Sequence, residues 1–271
     1  MNVKCKALAL DLDGTLTNSD KKITRKTHMA VQSAMEKGIQ IFLASGRPVL
    51  GISPLARALG LFGRGGYILA YNGGHIIDCK TEETIYERTL PMDCYGDICK
   101  LARDEKLSSL TYDDEGVVSE NDNDPYVIKE AFNNGIPLKK VERLDKAVKN
   151  PVVKFMIVGE PDKISVFLPK AQEYFKGRAS VYPSEPYFLE VAYPGIEKAS
   201  ALSFLIKHLG IEKSQLVACG DGLNDITMLR FAGYAVAMEN ASDEVKRYAD
   251  YVTLSNNDDG VAEFLKIAGI I

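Results

Sequence analysis

No two of the five cysteines (Cys5, Cys79, Cys94, Cys99, Cys219) are spaced as Cys-x-x-Cys, and one thiol is left without a partner. That excludes a disulfide-stapled scaffold and a paired-thiol redox motif, and fits reduced thiols in a cytoplasmic chain. The three histidines, His28, His75 and His208, lie too far apart for a zinc cluster. No apolar run approaches the roughly 18 residues of a membrane span, and the first residues lead into a strand-like stretch without a signal-peptide pattern. The expectation is a soluble, cytoplasmic protein with no membrane partner. No block of five like charges occurs, and 33 Lys and Arg against 37 Asp and Glu give a net charge of −4. Nucleic acid, which needs a concentrated basic surface, is disfavoured as a partner, while a small anionic ligand held by a few local groups stays open. Neither a P-loop signature nor a Gly-x-Ser-x-Gly elbow is present, and no EF-hand loop fits after Asp11.

What is present is an ordinary globular composition, 46% apolar and 26% charged, over 271 residues, a length that suggests two compact units. Ala7 to Leu10 is a short apolar run ending in Asp11. Helical spacing of Val31, Ala34 and Met35 follows over Thr24 to Gly38, where glycine stops it. The pattern repeats with a strand at Ile39 to Ala44, a helix at Pro54 to Leu59 and a strand at Tyr67 to Tyr71. It returns near the other end with helices at Lys198 to Leu209, Asp225 to Phe231 and Ser242 to Tyr248, and strands at Leu216 to Cys219, Tyr234 to Met238 and Tyr251 to Thr253. Near-continuous apolar strands alternating with helices predict an α/β fold, a doubly wound, Rossmann-like parallel sheet covered on both faces.

Residues 83–189 change style. Thr84 to Leu90 alternates, Leu110 to Tyr112 and Val117 to Ser119 flank an Asp-Asp-Glu-Gly turn, and Val152 to Val158 precedes a helix at Ile164 to Phe175. This reads as an antiparallel α+β insert, too long for a loop. The domains expected are therefore 1–82 with 190–271 as the core and 83–189 as the insert.

Ligands of a doubly wound sheet bind beyond the carboxyl ends of its strands, so the residues after each strand carry the chemistry. Asp11-Leu12-Asp13-Gly14-Thr15 places two carboxylates on one face of an extended segment, where their repulsion calls for a cation or a shared proton; an acidic turn is the plain alternative. Ser45-Gly46-Arg47 offers a hydroxyl, backbone amides and a cation, a phosphate cradle if it is more than a common turn. Gly220-Asp221-Gly222-Leu223-Asn224-Asp225 imitates a dinucleotide fingerprint, but Asp225 stands where the third glycine belongs and would repel a pyrophosphate. Asp221 as a direct magnesium ligand with Asp225 behind it makes better sense. Lys198, at a helix start, is a surface lysine by default; its value rises beside carboxylates that face a phosphate dianion.

In this order the four segments, Asp11 to Thr15, Ser45 to Arg47, Lys198, and Gly220 to Asp225, resemble the motifs of the haloacid dehalogenase-like phosphatases. Tyr71-Asn72-Gly73-Gly74 and Ser184 to Glu190 are similar to the Cof-type sugar-phosphatase branch, with an α/β cap between the second and third motifs; Ala199 departs from the glycine usual there. The resemblance implies a Mg²⁺-dependent hydrolase of small phosphate monoesters such as sugar phosphates. Asp11 would be the nucleophile that forms an aspartyl-phosphate, and Asp13 the acid and then the base. Mg²⁺ would be held by Asp11, the Asp13 carbonyl and Asp221, with Asp225 in support. Ser45, Gly46, Lys198 and Asn224 would serve the phosphoryl group, and Arg47, Asn72 and Gly73 the rest of the substrate. The cap, moving as a lid, would set specificity. A phosphosugar mutase of the same superfamily is the nearest alternative. A phospho-accepting receiver module is the other, disfavoured because Asp13 would hydrolyse the phospho-aspartate and a receiver needs no insert.

Overall fold

The computed structural model describes residues 3–271. Met1–Tyr86 with Glu197–Ile271 forms one compact unit and Glu87–Ile196 a second. The first holds an eight-stranded sheet in the order Tyr251–Val252, Tyr234–Ala237, Leu216–Gly220, Ala7–Leu10, Gln40–Ala44, Tyr67–Ala70, His75–Asp78, Thr84–Glu87. The strands from Tyr251–Val252 through Tyr67–Ala70 are parallel, and His75–Asp78 returns antiparallel. The fold is α/β, with a buried cluster on each face of the sheet.

Alternation along the buried strands decides which helix can approach which face. Leu8, Leu10, Ile41, Leu43, Ile68 and Val217 point into one cluster, filled by Val31, Ile52 and Phe264 from the helices Arg25–Glu36, Val49–Ala58 and Gly260–Ile267. The opposite face carries mostly small side chains, Ala7, Ala9, Ala44, Ala218, Ala235 and Ala237. Methyl groups there let the helix Lys198–His208, through Ala201, Leu202 and Leu205, lie close to the sheet. Close approach of that helix is what brings its first residue to the strand ends.

Three sequence expectations shift. The alternating stretch from Thr84 begins in the first unit: Thr84–Glu87 is the edge strand of its sheet, and the Tyr86 ring packs on Phe204 of the Lys198–His208 helix, with centroids 4.8 Å apart. The insert in turn continues past residue 189, because Phe188–Ala192 pairs along its length with Lys154–Val158. A helix also starts earlier than Pro54, running over Val49–Ala58 with the proline inside it, and the Ser53 hydroxyl bonds the Val49 carbonyl at 2.8 Å.

The second unit is a six-stranded sheet, Ser180–Glu185, Phe188–Ala192, Lys154–Val158, Ser108–Tyr112, Val117–Ser119, Leu138–Lys140. Its neighbours are antiparallel except for the last pair, Val117–Ser119 with Leu138–Lys140, which the sequence reading had not separated from the rest. The helix Pro125–Asn134 connects those two strands, as a parallel pairing requires a crossover. Helices Asp93–Asp104 and Pro161–Phe175 pack on one face around Phe155, Ile157 and Val191.

Candidate active site

Register places the strand ends of the first unit at one level. Leu10 pairs with Leu43 on one side and Cys219 on the other, and Ala44 pairs with Leu69, so Asp11, Ser45, Tyr71 and Asp221 leave the sheet along one rim. Backbone bonds lock the emerging loops together: Asn72 N–H to the Ser45 carbonyl at 2.8 Å, and Tyr71 N–H to the Arg47 carbonyl at 3.0 Å.

At the centre of that rim lies Lys198, fully buried. Its Nζ donates to Asp11 Oδ1 at 2.6 Å and to Asp225 Oδ1 at 2.5 Å. A lysine at a helix start is placed against the helix dipole. Here the two carboxylates outweigh that and hold the ammonium charged, its pKa above the ordinary lysine value although burial alone would lower it. The second oxygen of Asp225 accepts the N–H groups of Asp221 (2.9 Å) and Gly222 (2.8 Å). Asp225 thereby takes three donors, one of them the ammonium, and is wholly buried, which makes it a brace for the loop and for Lys198.

Asp221 takes the Thr15 hydroxyl on Oδ1 at 2.7 Å and the Asn240 amide on Oδ2 at 3.3 Å. One carboxylate oxygen from each of Asp11, Asp221 and Asp225 lies within 4.8 Å of the others. Three carboxylates share a single ammonium. Burial, and then the Asp225 charge, push the Asp11 carboxyl well above its usual range against the pull of Lys198. Burial, opposed by the Thr15 hydrogen bond and aided by Asp225, raises Asp221 to about 6. A set of hard oxygen donors short of positive charge fits Mg²⁺, with Asp11 and Asp221 as the carboxylates open to it. The other carboxylate cluster among the described residues, Cys99 with Glu120 and Asp145, does not fit as well, since Arg103 pairs with Glu120 at 2.8 Å and Arg143 with Asp145 at 3.0 Å.

Asp13 stands apart from this centre. Arg47 grips it in a fork, Nε to Oδ2 at 2.6 Å and Nη2 to Oδ1 at 2.5 Å, and Lys21 adds Nζ to Oδ1 at 2.7 Å. Burial would raise the Asp13 pKa, but these two cations more than offset it and hold the carboxyl below its ordinary value. Arg47, expected to contact substrate, thus spends its guanidinium on Asp13. Ser45 Oγ accepts the Arg47 N–H at 3.2 Å, Asn224 donates to the Asn72 side-chain oxygen at 3.0 Å, and Asn72 fills the space beside Gly46, 3.3 Å from where a Cβ would stand. Gly73 has φ +96° and leaves no room for a side chain: a Cβ there would lie 2.5 Å from Ala201 Cβ and 3.0 Å from the Glu197 carbonyl. Expected as a substrate contact, it serves to seat the Lys198–His208 helix.

Four contributors were not singled out from the sequence: Thr15, Lys21, Asn240 and Asn256. Thr15 lay inside a motif already quoted. Asn240 follows the strand Tyr234–Ala237, a further parallel strand end at which the same rule of reading beyond the carboxyl terminus applied. Lys21 and Asn256 reach the site by chain reversals that no local pattern announces.

Comparison with known proteins gives the family of the chain. A family model described as haloacid dehalogenase-like hydrolase matches residues 8–265. A haloacid dehalogenase-like hydrolase from Bacteroides thetaiotaomicron, known from its crystal structure, superposes with a TM-score of 0.95 at 44% identity, over 97% of this chain and 99% of that one. A 5-amino-6-(5-phospho-D-ribitylamino)uracil phosphatase of Bacillus subtilis is 30% identical over 98% of this chain and 96% of its own length. A solved sugar phosphatase of subclass IIB of that superfamily has a TM-score of 0.82 at 27% identity, over 98% of this chain and all of that one, 100%.

Proposed function

From the premise that this chain belongs to the haloacid dehalogenase-like hydrolases and is a phosphatase, we propose that it hydrolyses small phosphate monoesters, sugar phosphates above all, with Mg²⁺ and through an aspartyl-phosphate. Asp11 attacks phosphorus; as the bond to the leaving oxygen breaks, Asp13 gives that oxygen a proton. Asp13 then takes a proton from water, whose oxygen attacks the same phosphorus, and the Asp11–phosphorus bond breaks to release inorganic phosphate. Arg47 and Lys21 occupy both oxygens of Asp13, so its part in proton transfer requires that they let go.

Lys198, the Ser45 hydroxyl, the Gly46 amide and Asn224 take the phosphoryl oxygens, and Asn72 lies next to them. Asp11, Asp221 and the Asp13 carbonyl would hold Mg²⁺, whose charge, when bound, would offset the negative charge growing on those oxygens. The observation that carries the reading is the fully buried Lys198 shared between Asp11 and Asp225, beside a third carboxylate. Such a centre is short of positive charge until a cation enters, and with one it complements a phosphoryl dianion.

The test is a panel of monoesters, hexose and pentose phosphates, a ribityl phosphate, nucleotides and p-nitrophenyl phosphate, assayed with Mg²⁺ and with a chelator. Catalytic phosphate release that needs Mg²⁺ and favours sugar phosphates is expected. Turnover indifferent to the chelator would remove the metal from the scheme, and one phosphoryl group retained per chain without turnover would point to a receiver.

A further inference from the structure

We propose that Asn240 is a positioning residue of the cation site, fixing the Asp221 carboxylate in the orientation that receives the metal. This rests on the reading of Asp11 and Asp221 as ligands of Mg²⁺. The Asn240 amide has two ends of different chemistry. Its Oδ1 accepts the backbone N–H of Asn256 at 3.0 Å. A backbone N–H can only donate, so the orientation of the amide is forced and its NH₂ must face the other way. There it meets two groups that can only accept, the Gly14 carbonyl at 2.9 Å and Asp221 Oδ2 at 3.3 Å. Asn256 is tied down in turn, its own amide donating to the Thr17 carbonyl at 2.9 Å.

Asp221 is therefore held from both sides, by Thr15 on Oδ1 and by Asn240 on Oδ2. It also leans on Gly14, which has φ +87° and whose missing Cβ leaves the space the carboxylate fills. One amide thus joins the turn after Asp13 to a carboxylate of the Gly220–Asp225 loop. The choice of donor matters. A neutral amide orients a carboxylate without cancelling its charge, whereas a lysine or arginine in its place would compete with the cation. Groups that orient metal ligands from behind in this way are worth roughly 10- to 100-fold in metal affinity.

The test uses Mn²⁺ as probe, titrated into the full chain, with free ion read from its aqueous EPR signal and folding checked by thermal melting of the metal-free protein. Asn240→Ala is expected to weaken Mn²⁺ binding by roughly 10- to 100-fold. Asn257→Ala cuts a neighbouring tie, the paired bonds to Ser19 at 3.0 Å each, without touching Asp221. It should bind Mn²⁺ within about threefold of wild type, the spread of an ordinary surface substitution. Asp221→Asn should lose the site. If Asp221→Asn binds as wild type does, the cation-site reading itself fails. If Asp221→Asn loses Mn²⁺ while Asn240→Ala stays within about threefold, the site stands and Asn240 has no part in it. An Asn257→Ala loss as large as that of Asn240→Ala would assign the effect to the integrity of the loop and overturn the proposal. Asn240→Ser, polar but too short to span to Asp221, replaces the alanine variant if that one does not fold, with the same loss expected.

Discussion

Replacing Lys198 by methionine keeps the length and most of the volume of the side chain and removes only the charge. The ammonium makes two charge-assisted hydrogen bonds, at 2.6 and 2.5 Å, in a site closed to solvent. At about 1.5–3 kcal/mol for each such bond, their loss amounts to about 3–6 kcal/mol. Breaking a buried ion pair from one side costs about 3–5 kcal/mol by an independent route, because the abandoned charge stays buried. The two agree on about 3–5 kcal/mol, a large share of the roughly 5–15 kcal/mol that holds a typical domain. Urea unfolding of Lys198→Met followed by circular dichroism in a chelator measures it. The loss should be greater at pH 8 than at pH 6, since the carboxylates left behind relieve their repulsion by taking up protons. Saturating Mg²⁺ should restore more stability to the variant than it adds to wild type, and phosphatase activity should fall at least about 10²-fold. A loss below about 1 kcal/mol, independent of pH, would mean that Lys198 does not balance the carboxylates, and the electrostatic account of the site would have to be given up.

Asp11→Asn removes the nucleophile and keeps its shape; phosphate release should fall about 10⁴-fold while the far-ultraviolet spectrum is unchanged, and activity above about one per cent would exclude Asp11 as nucleophile. Gly73→Ala meets Ala201 and a positive φ together and should cost about 1–3 kcal/mol in thermal unfolding. Gly38→Ala, at φ +83° with open space around it, pays for the backbone alone and should cost less; equal losses would show that the seating of the helix is not tight. In metal-free protein Asp221 has its folded pKa raised from 3.8 to about 6, so the folded state binds the proton more tightly than the unfolded chain. Its contribution to stability is complete below about pH 4 and is lost as pH rises through about 6; Asp11 shifts in the same direction. Unfolding midpoints in chelator across that window check the sign, and added Mg²⁺ should flatten the decline.

Apolar runs punctuated by glycine were enough to read the parallel core, because strands buried on both faces have little freedom in composition. Strand ends were equally legible, and Asp11, Asp221 and Ser45 stand where the rule for doubly wound sheets puts ligands. The limits of the insert were harder. Thr84 to Leu90 alternates throughout, and its first half joins the core sheet by pairing beside His75–Asp78 and by the packing of Tyr86 on Phe204, neither of which a local pattern announces. Composition calls Lys198 a surface residue; its burial follows from partners 187 positions earlier and 27 later, a coincidence in space that no window of sequence contains. The grip of Arg47 on Asp13 escaped for the same reason. An arginine beside a presumed phosphate cradle invites a substrate role until the carboxylate that occupies it is seen.

The central position of the Ala7–Leu10 strand bears on how the protein is made. Its neighbour on one side, Gln40–Ala44, leaves the ribosome soon after it, but its neighbour on the other, Leu216–Gly220, is synthesised only after the whole of Glu87–Ile196. The nascent segment must wait with the Ala7–Leu10 edge of its sheet unpaired, and closing so distant a contact is slow. Throughout that wait Asp11 has neither its ammonium nor its companion carboxylates, so no fragment that ends before Lys198 holds a half-built phosphatase. Activity and the closing of the sheet arrive together, in the last quarter of the chain, and a truncated product is inert as well as incomplete.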